Sequence, residues 1–292
     1  MRISFKGNLP LFEPDYNPAG WWMMRPAWQR FVRSHVLCGD TGAGKTTLIY
    51  HGLHELSDAG IYDQDDLKGF AKPKKTHIIS RFSLERHGKI NSVDSWLDVD
   101  GERFARAFQP GGKKAANEKA LERIYDRVNA MVMVVSAQQI LDLQRLDGKP
   151  GGNASKMAEE FVNGFQQRLN ELRPTLSKSL KRGGFGWHLV VSQCGDVSKP
   201  GKPQDSLIAA LNHFAQRTGF RKVCRRAILC DSIQNASSGR GVKVASLTVG
   251  PRGGLAVDGD PSTTICSAGV AMALILGRLK CNAAEHGFII SL

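Results

Sequence analysis

The chain has 292 residues, enough for one large domain or two small ones, and 41% of them are apolar, enough to bury a sizeable core. Forty Lys and Arg against 27 Asp and Glu give a formal net charge of +13, a balance that suits an acidic partner such as nucleic acid, an anionic membrane face or an acidic protein. The six cysteines show no C-x-x-C spacing, and no apolar run reaches the ~20 residues a membrane span needs, so a disulfide framework, a cysteine metal site and a transmembrane segment are not expected. The N-terminus also lacks the apolar stretch of a secretory leader, and the expected location is the reducing cytoplasm.

Residues 1–32 form an N-terminal arm rich in Pro, Gly and aromatics, with Trp21, Trp22, Trp28 and Phe31 close together. From residue 33 to 292 strand and helix patterns alternate. His35–Cys38 is a short apolar strand and Lys45–Ser57 a helix. Asp58–Lys75 is polar and without period. Thr76–Arg86 and Ile90–Val99 are strands joined by a tight turn at His87-Gly88-Lys89. Ala115–Asn129 is an amphipathic helix and Ala130–Val135 a buried strand. Lys156–Lys181 has helical period, broken near Pro174, and His188–Val191 is a second buried strand. Ser206–Arg217 is a helix, Cys224–Leu229 and Val242–Val249 are strands, and Thr263–Lys280 is a closing apolar helix, a C-terminal helical extension. This alternation predicts an α/β fold with a mostly parallel sheet covered on both faces and one antiparallel edge strand from the hairpin.

Between the first strand and the first helix stands Gly39-Asp40-Thr41-Gly42-Ala43-Gly44-Lys45-Thr46, which fits G-x-x-x-x-G-K-[ST] at every position. Each residue type has a chemical reason. Glycines let the backbone curl so that successive N–H groups converge on phosphate oxygens. The following helix turns its positive dipole end toward the same anion. Lys45 is placed to bridge the β- and γ-phosphates, the Thr46 hydroxyl to bind Mg²⁺, and Thr47 to reach the α-phosphate. A second Mg²⁺ contact is expected from a carboxylate ending a neighbouring strand. Asp98 ends the run Val93–Asp98 and opens Asp98-Val99-Asp100-Gly101, a D-x-x-G whose Gly101 N–H could sense the γ-phosphate.

On these motifs the chain resembles the GTPases of the translation-factor and Ras-like (TRAFAC) branch of P-loop proteins, and among them the divergent bacterial members, some from conflict or defence gene clusters. The resemblance covers about residues 33–232. It implies a P-loop NTPase three-layer fold, GTP or GDP with Mg²⁺ as ligands, and a protein effector or regulator as partner. It assigns Thr76, just before Ile78-Ile79, as the threonine of the first switch, which binds Mg²⁺ and the γ-phosphate. It places Glu102 where the family often has a water-orienting glutamine, and Arg103 and Arg106 nearby. The guanine-reading N/T-K-x-D corresponds to Gln193-Cys194-Gly195-Asp196: Asp196 fits, while Gln193 stands for Asn or Thr and Cys194 for Lys. Asp231-Ser232 stands at the place of the family's last base-contacting turn.

The expected function is a Mg²⁺-dependent GTPase that alters a partner surface between nucleotide states. Three rival readings are compatible with the sequence: a P-loop ATPase or nucleotide kinase, a protein that holds nucleotide with little turnover, and a nucleotide-gated nucleic-acid-binding protein. Basic clusters at Lys72, Lys74 and Lys75, at Lys178, Lys181 and Arg182, and at Arg221, Lys222, Arg225 and Arg226 suit nucleic acid or anionic lipid, but no helix-turn-helix, zinc-finger or RNP signature accompanies them. His51 and His54 share a helix face without a third metal ligand and are assigned a structural role.

Overall fold

The computed structural model describes residues 9–10, 32–62, 79–85, 93–99, 128–149, 152–175, 186–197, 205–231, 244–250, 253–259, 263–279 and 287–292. The expected turn at 87–89, most of the expected helix 115–129, and Thr76, Gly101, Glu102, Arg103, Arg106 and Ser232 lie outside these residues.

The strands are β1 (Leu9–Pro10), β2 (Val32–Cys38), β3 (Ile79–Glu85), β4 (Val93–Val99), β5 (Ala130–Ser136), β6 (Gly186–Ser192), β7 (Arg226–Leu229), β8 (Ser246–Val249), β9 (Leu255–Asp258) and β10 (Ile289–Ser291). Eight of them form one sheet in the order β1-β3-β4-β2-β5-β6-β7-β10. From β4 to β7 all neighbours are parallel, and β3 lies antiparallel on β4, as the hairpin pattern predicts. Two short antiparallel strands complete the edges, β1 beside β3 and β10 beside β7. The central strands are apolar runs rather than alternating ones. Every residue of β5 is buried, as a strand covered on both faces requires.

Among the described residues six α-helices accompany the strands: α1 (Lys45–Asp58), α2 (Ala137–Asp147), α3 (Asn153–Thr175), the short α4 (Cys194–Val197), α5 (Asp205–Arg217) and α6 (Ala268–Ile275). The order of connection across the sheet reverses at β2: the route through α1 leads to β3 and β4 on one side, and later crossovers lead to β5, β6 and β7 on the other. Right-handed crossovers then put α1 on one face and α2, α3 and α5 on the opposite face. The contacts agree, because α1 packs with α6, while α2 packs with both α3 and α5. Across the second face Asp147 at the end of α2 accepts hydrogen bonds from His213 Nε2 (2.7 Å) and Arg217 Nε (2.9 Å), and Arg217 also reaches Glu159 on α3 at 2.6 Å.

The α1–α6 contact is close because it is made at glycines. A Cβ on Gly52 would stand 2.2 Å from Met272 Sδ, and one on Gly269 would stand 2.5 Å from Glu55 Cβ. Glu55 accepts from the Ser267 hydroxyl, the cap of α6, and from the Gly269 N–H, while burial pushes its carboxyl up from the ordinary range.

Several elements differ from the sequence expectation. The closing helix runs Ala268–Ile275 rather than Thr263–Lys280, because Cys266 is drawn into strand-like bridges with Cys230 and Ala245 and Ser267 caps the helix only after them. The helix stops where Gly277 turns to φ +65°: its own N–H donates to Leu274 O, and the following Arg278 and Leu279 N–H groups donate to Ala273 O. Helix α2, absent from the expectation, has a sequence signal: Ser136 and Gln139 form an S-x-x-Q capping box at the end of β5. Strands β9 and β10 were also unforeseen, the first pairing with β8 in a separate hairpin.

Candidate nucleotide site

The loop 39–44 follows β2, the strand at which the sheet order reverses. In open α/β sheets the crevice at the carboxyl ends of the strands, at this switch point, is where ligands sit. Three backbone positions in the loop need glycine: Gly39 (φ +152°), Gly42 (φ +80°) and Gly44 (φ +82°), the last as the N-cap of α1. At Gly39 the close approach of β5 adds a second reason, since a Cβ there would stand 2.2 Å from Val134 O. Thr41 and Gly42 are exposed at the outer edge of the loop, and Ala43 is buried beneath it. Asp40 and Thr47 lie half-buried on either flank.

Lys45 is 6% exposed, and its Nζ donates to Gly39 O at 3.0 Å and to Asp40 O at 2.9 Å. An ammonium this buried costs several kcal/mol unless it is well coordinated, and the carbonyls that hold it here are neutral. A polyphosphate in the loop would meet a desolvated cation and the α1 N-terminus together.

Register pairs Leu37 with Asp98 on adjacent parallel strands, bringing the Asp98 carboxylate beside the first turn of α1. The Thr46 hydroxyl donates to Asp98 Oδ2 across 52 positions of sequence, and Asp98 is fully buried. A hydroxyl and a carboxylate are hard oxygen donors, the set from which Mg²⁺ takes one or two protein ligands beside substrate phosphates. Thr46 and Asp98 fit that ion. Among the described residues no cluster of three His, Cys, Asp or Glu could hold a metal, and no disulfide joins the described cysteines.

The expected base-reading segment sits at the same sheet end, after β6, and is tied to the phosphate loop by contacts that the sequence does not announce. Buried Ser192 donates from Oγ to Ala43 O at 2.6 Å, and Gln193 donates from Nε2 to Gly42 O at 3.2 Å. Gln193 adopts φ +57°, the one non-glycine among the described residues at positive φ. Gln193 thus replaces the expected Asn or Thr with a longer amide that reaches the loop. Cys194 takes the lysine position but turns inward: it is fully buried, its Sγ donates to Val191 O at 3.2 Å, and burial pushes its thiol well up. Asp196 falls within α4. The Gly195 N–H donates to Asp231 Oδ2 at 2.8 Å, an approach so close that a Cβ on Gly195 would lie 1.9 Å from that oxygen. Asp231 therefore anchors the segment that carries Asp196, a role distinct from the base contact assigned to the neighbouring Ser232.

No protein-family model matches the chain, and no curated protein matches it. Among solved structures it is similar to the Arl6 BBS3 small GTPase of Trypanosoma brucei bound to GppNp, with 16% identity, a TM-score of 0.34, and 64% of this chain and 81% of that one covered. It is similar to a variant of Aquifex aeolicus Era bound to GDP and AlF4⁻, with 11% identity, a TM-score of 0.35, and 65% and 48% covered. It is also similar to the GTPase-like domain of Saccharomyces cerevisiae Ski7 bound to GTP, with 16% identity, a TM-score of 0.38, and 73% and 46% covered. The chain thus spans about half the length of the second and third of these. By its strand order, its switch point and its phosphate loop, the chain has the three-layer α/β fold of P-loop nucleoside triphosphatases.

Proposed function

We propose that this chain binds GTP with Mg²⁺, hydrolyses it, and presents a different partner surface in the GTP and GDP states. The observation that carries the reading is the Thr46–Asp98 contact. It joins two motifs 52 residues apart at the mouth of one phosphate loop, which is the arrangement a metal-bound triphosphate needs.

In this reading the N–H groups of Gly42 to Thr47 hold the phosphates, and Lys45 exchanges the Gly39 and Asp40 carbonyls for β- and γ-oxygens. Thr46 and Asp98, joined by Thr76, would hold Mg²⁺, which supplies charge neutralisation at the phosphates when bound. Ser192 and Gln193 keep the base-reading segment in register with the phosphate loop. Asp196 accepts from the guanine N1 and N2 groups, and Ser232 supports the base. Gly101 senses the γ-phosphate through its N–H, and Glu102 aligns the attacking water as a carboxylate. Its charge beside the triphosphate favours slow turnover without a partner. Loss of the γ-phosphate would release Thr76 and the Asp98–Glu102 turn, changing the surface offered to an effector.

The test is exchange of base specificity. Asp196→Asn should weaken GTP binding at least tenfold, about 1.4 kcal/mol, and leave xanthosine triphosphate binding intact. Equal GTP affinity in that variant would remove Asp196 from the base site and reopen an adenine or unselective nucleotide.

A further inference from the structure

We propose that the turn from Gly219 to Arg226, at the end of the sheet remote from the phosphate loop, is a docking surface for the phosphodiester backbone of a nucleic acid. Strand β7 runs parallel to β6, so its first residue, Arg226, marks the end of the sheet opposite the nucleotide loops. Four cations fall within six residues here, and Arg221, Lys222, Arg225 and Arg226 are all exposed.

What distinguishes them from an ordinary solvated charge run is how they are mounted. Phe220 is fully buried and Cys224 nearly so. Phe220 packs edge-on against Trp187 and Phe165, with ring centroids 6.3 and 6.0 Å away. The Cys224 thiol donates to Trp187 O at 3.3 Å. The backbone closes on itself through Lys222 N–H to Gly219 O (3.1 Å) and Cys224 N–H to Phe220 O (3.0 Å), and Arg225 O accepts from Leu292 N–H at 3.0 Å. Core anchors at 220 and 224 therefore alternate with cation pairs at 221–222 and 225–226 on a fixed turn. A rigid mount lowers the ordering entropy that a ligand must overcome.

Charge balance points the same way. Arg217, two residues before the turn, is held by Asp147 and Glu159. Among the described residues none of the four turn cations is within ion-pair distance of a carboxylate. In a chain of net charge +13, a cationic turn that no carboxylate among the described residues offsets favours an external anion. The surface favours phosphodiester over lipid. Stable bilayer attachment needs an apolar insertion beside the charge, and the exposed large apolar side chains among the described residues, Met157 and Val249, lie on other elements.

The test uses the full chain with fluorescein-labelled single-stranded RNA of about 20 nucleotides and duplex DNA of about 20 base pairs, titrated by anisotropy between about 0.05 and 0.3 M KCl. Phosphatidylserine vesicles run in parallel. The wild type should bind nucleic acid with strong salt dependence. Joint replacement by Arg221→Ala, Lys222→Ala, Arg225→Ala and Arg226→Ala should weaken it at least tenfold at low salt. It should also flatten the slope of log K against log salt on the single strand by up to about 3, four phosphate contacts at about 0.7 each. The thermal midpoint should hold, because all four side chains are exposed, and a Lys222→Glu variant should show the same trend with one change. Replacing the three arginines by lysine should preserve binding. Unchanged affinity and slope in the alanine variant would overturn the proposal, as would wild-type protein that binds the vesicles and neither nucleic acid.

Discussion

Gly39→Ala should damage the protein more than Gly42→Ala, although both sit in one loop at positive φ. At Gly42 (φ +80°) an added Cβ meets nothing within 4 Å, so the cost is the left-handed conformation itself, about 1–2 kcal/mol. At Gly39 the same kind of strain is joined by a collision: the Cβ would stand 2.2 Å from the backbone oxygen of Val134. That oxygen belongs to the fully buried central strand β5, so the loop has to move by about 1 Å, an overpacking cost of about 1–3 kcal/mol. The sum for Gly39→Ala is about 2–5 kcal/mol, a sizeable part of a domain stability of about 5–15 kcal/mol. Thermal unfolding followed by circular dichroism separates the two, at about 2–4 °C per kcal/mol for a domain of this order of size. Gly42→Ala should lose a few degrees and Gly39→Ala clearly more. Gly39→Ala should also lose triphosphate binding at 25 °C while still folded, since the displaced N–H groups no longer converge. Equal midpoints for the two variants would refute the packing of this loop against β5.

Gly52→Ala should destabilise despite a helix-propensity gain of about 1 kcal/mol, because its Cβ would meet Met272 Sδ at 2.2 Å and Ala268 O at 3.0 Å. Combined with Met272→Ala it should cost less than the sum of the single changes in denaturant unfolding, and additivity within about 0.5 kcal/mol would contradict the close α1–α6 contact. His188 is held down to about 4 by burial and by the neighbouring His35, so between pH 6.5 and about 4 the unfolded chain takes up a proton that the folded chain refuses. Stability should therefore fall with pH across that window, by at most about 3 kcal/mol. In a His188→Gln variant the fall should be smaller, and parallel profiles for wild type and variant would rule His188 out as its source.

The parts of the site that were legible in the sequence are those written in contiguous residues. The phosphate loop is a backbone shape, and its glycines and Lys45 must stand at fixed spacing to make it. Asp98 could be found because it ends a strand pattern. Contacts such as Ser192 to Ala43 and Gln193 to Gly42 join residues 149 and 151 positions apart and depend on strand register, which residue type alone does not set. The closing helix was overextended for a similar reason. Thr263 to Lys280 is uniformly apolar at its centre, so periodicity cannot mark the start, and the start is set by the bridging of Cys266 to Cys230 and Ala245. Helix α2 escaped because its apolar face is narrow, with Ala137, Ile140 and Leu143 its buried residues, although its capping box was in plain view. Three-residue β10 gains its identity only from pairing with β7.

The most direct test of nucleotide recognition is a titration of the purified chain with fluorescent GTP and ATP analogues, with and without Mg²⁺, alongside Lys45→Ala. The expected result is Mg²⁺-dependent binding of GTP at least tenfold tighter than ATP, about 1.4 kcal/mol, and abolished in Lys45→Ala. Equal affinity for the two, a preference for ATP, or normal binding by the Lys45 variant would contradict it.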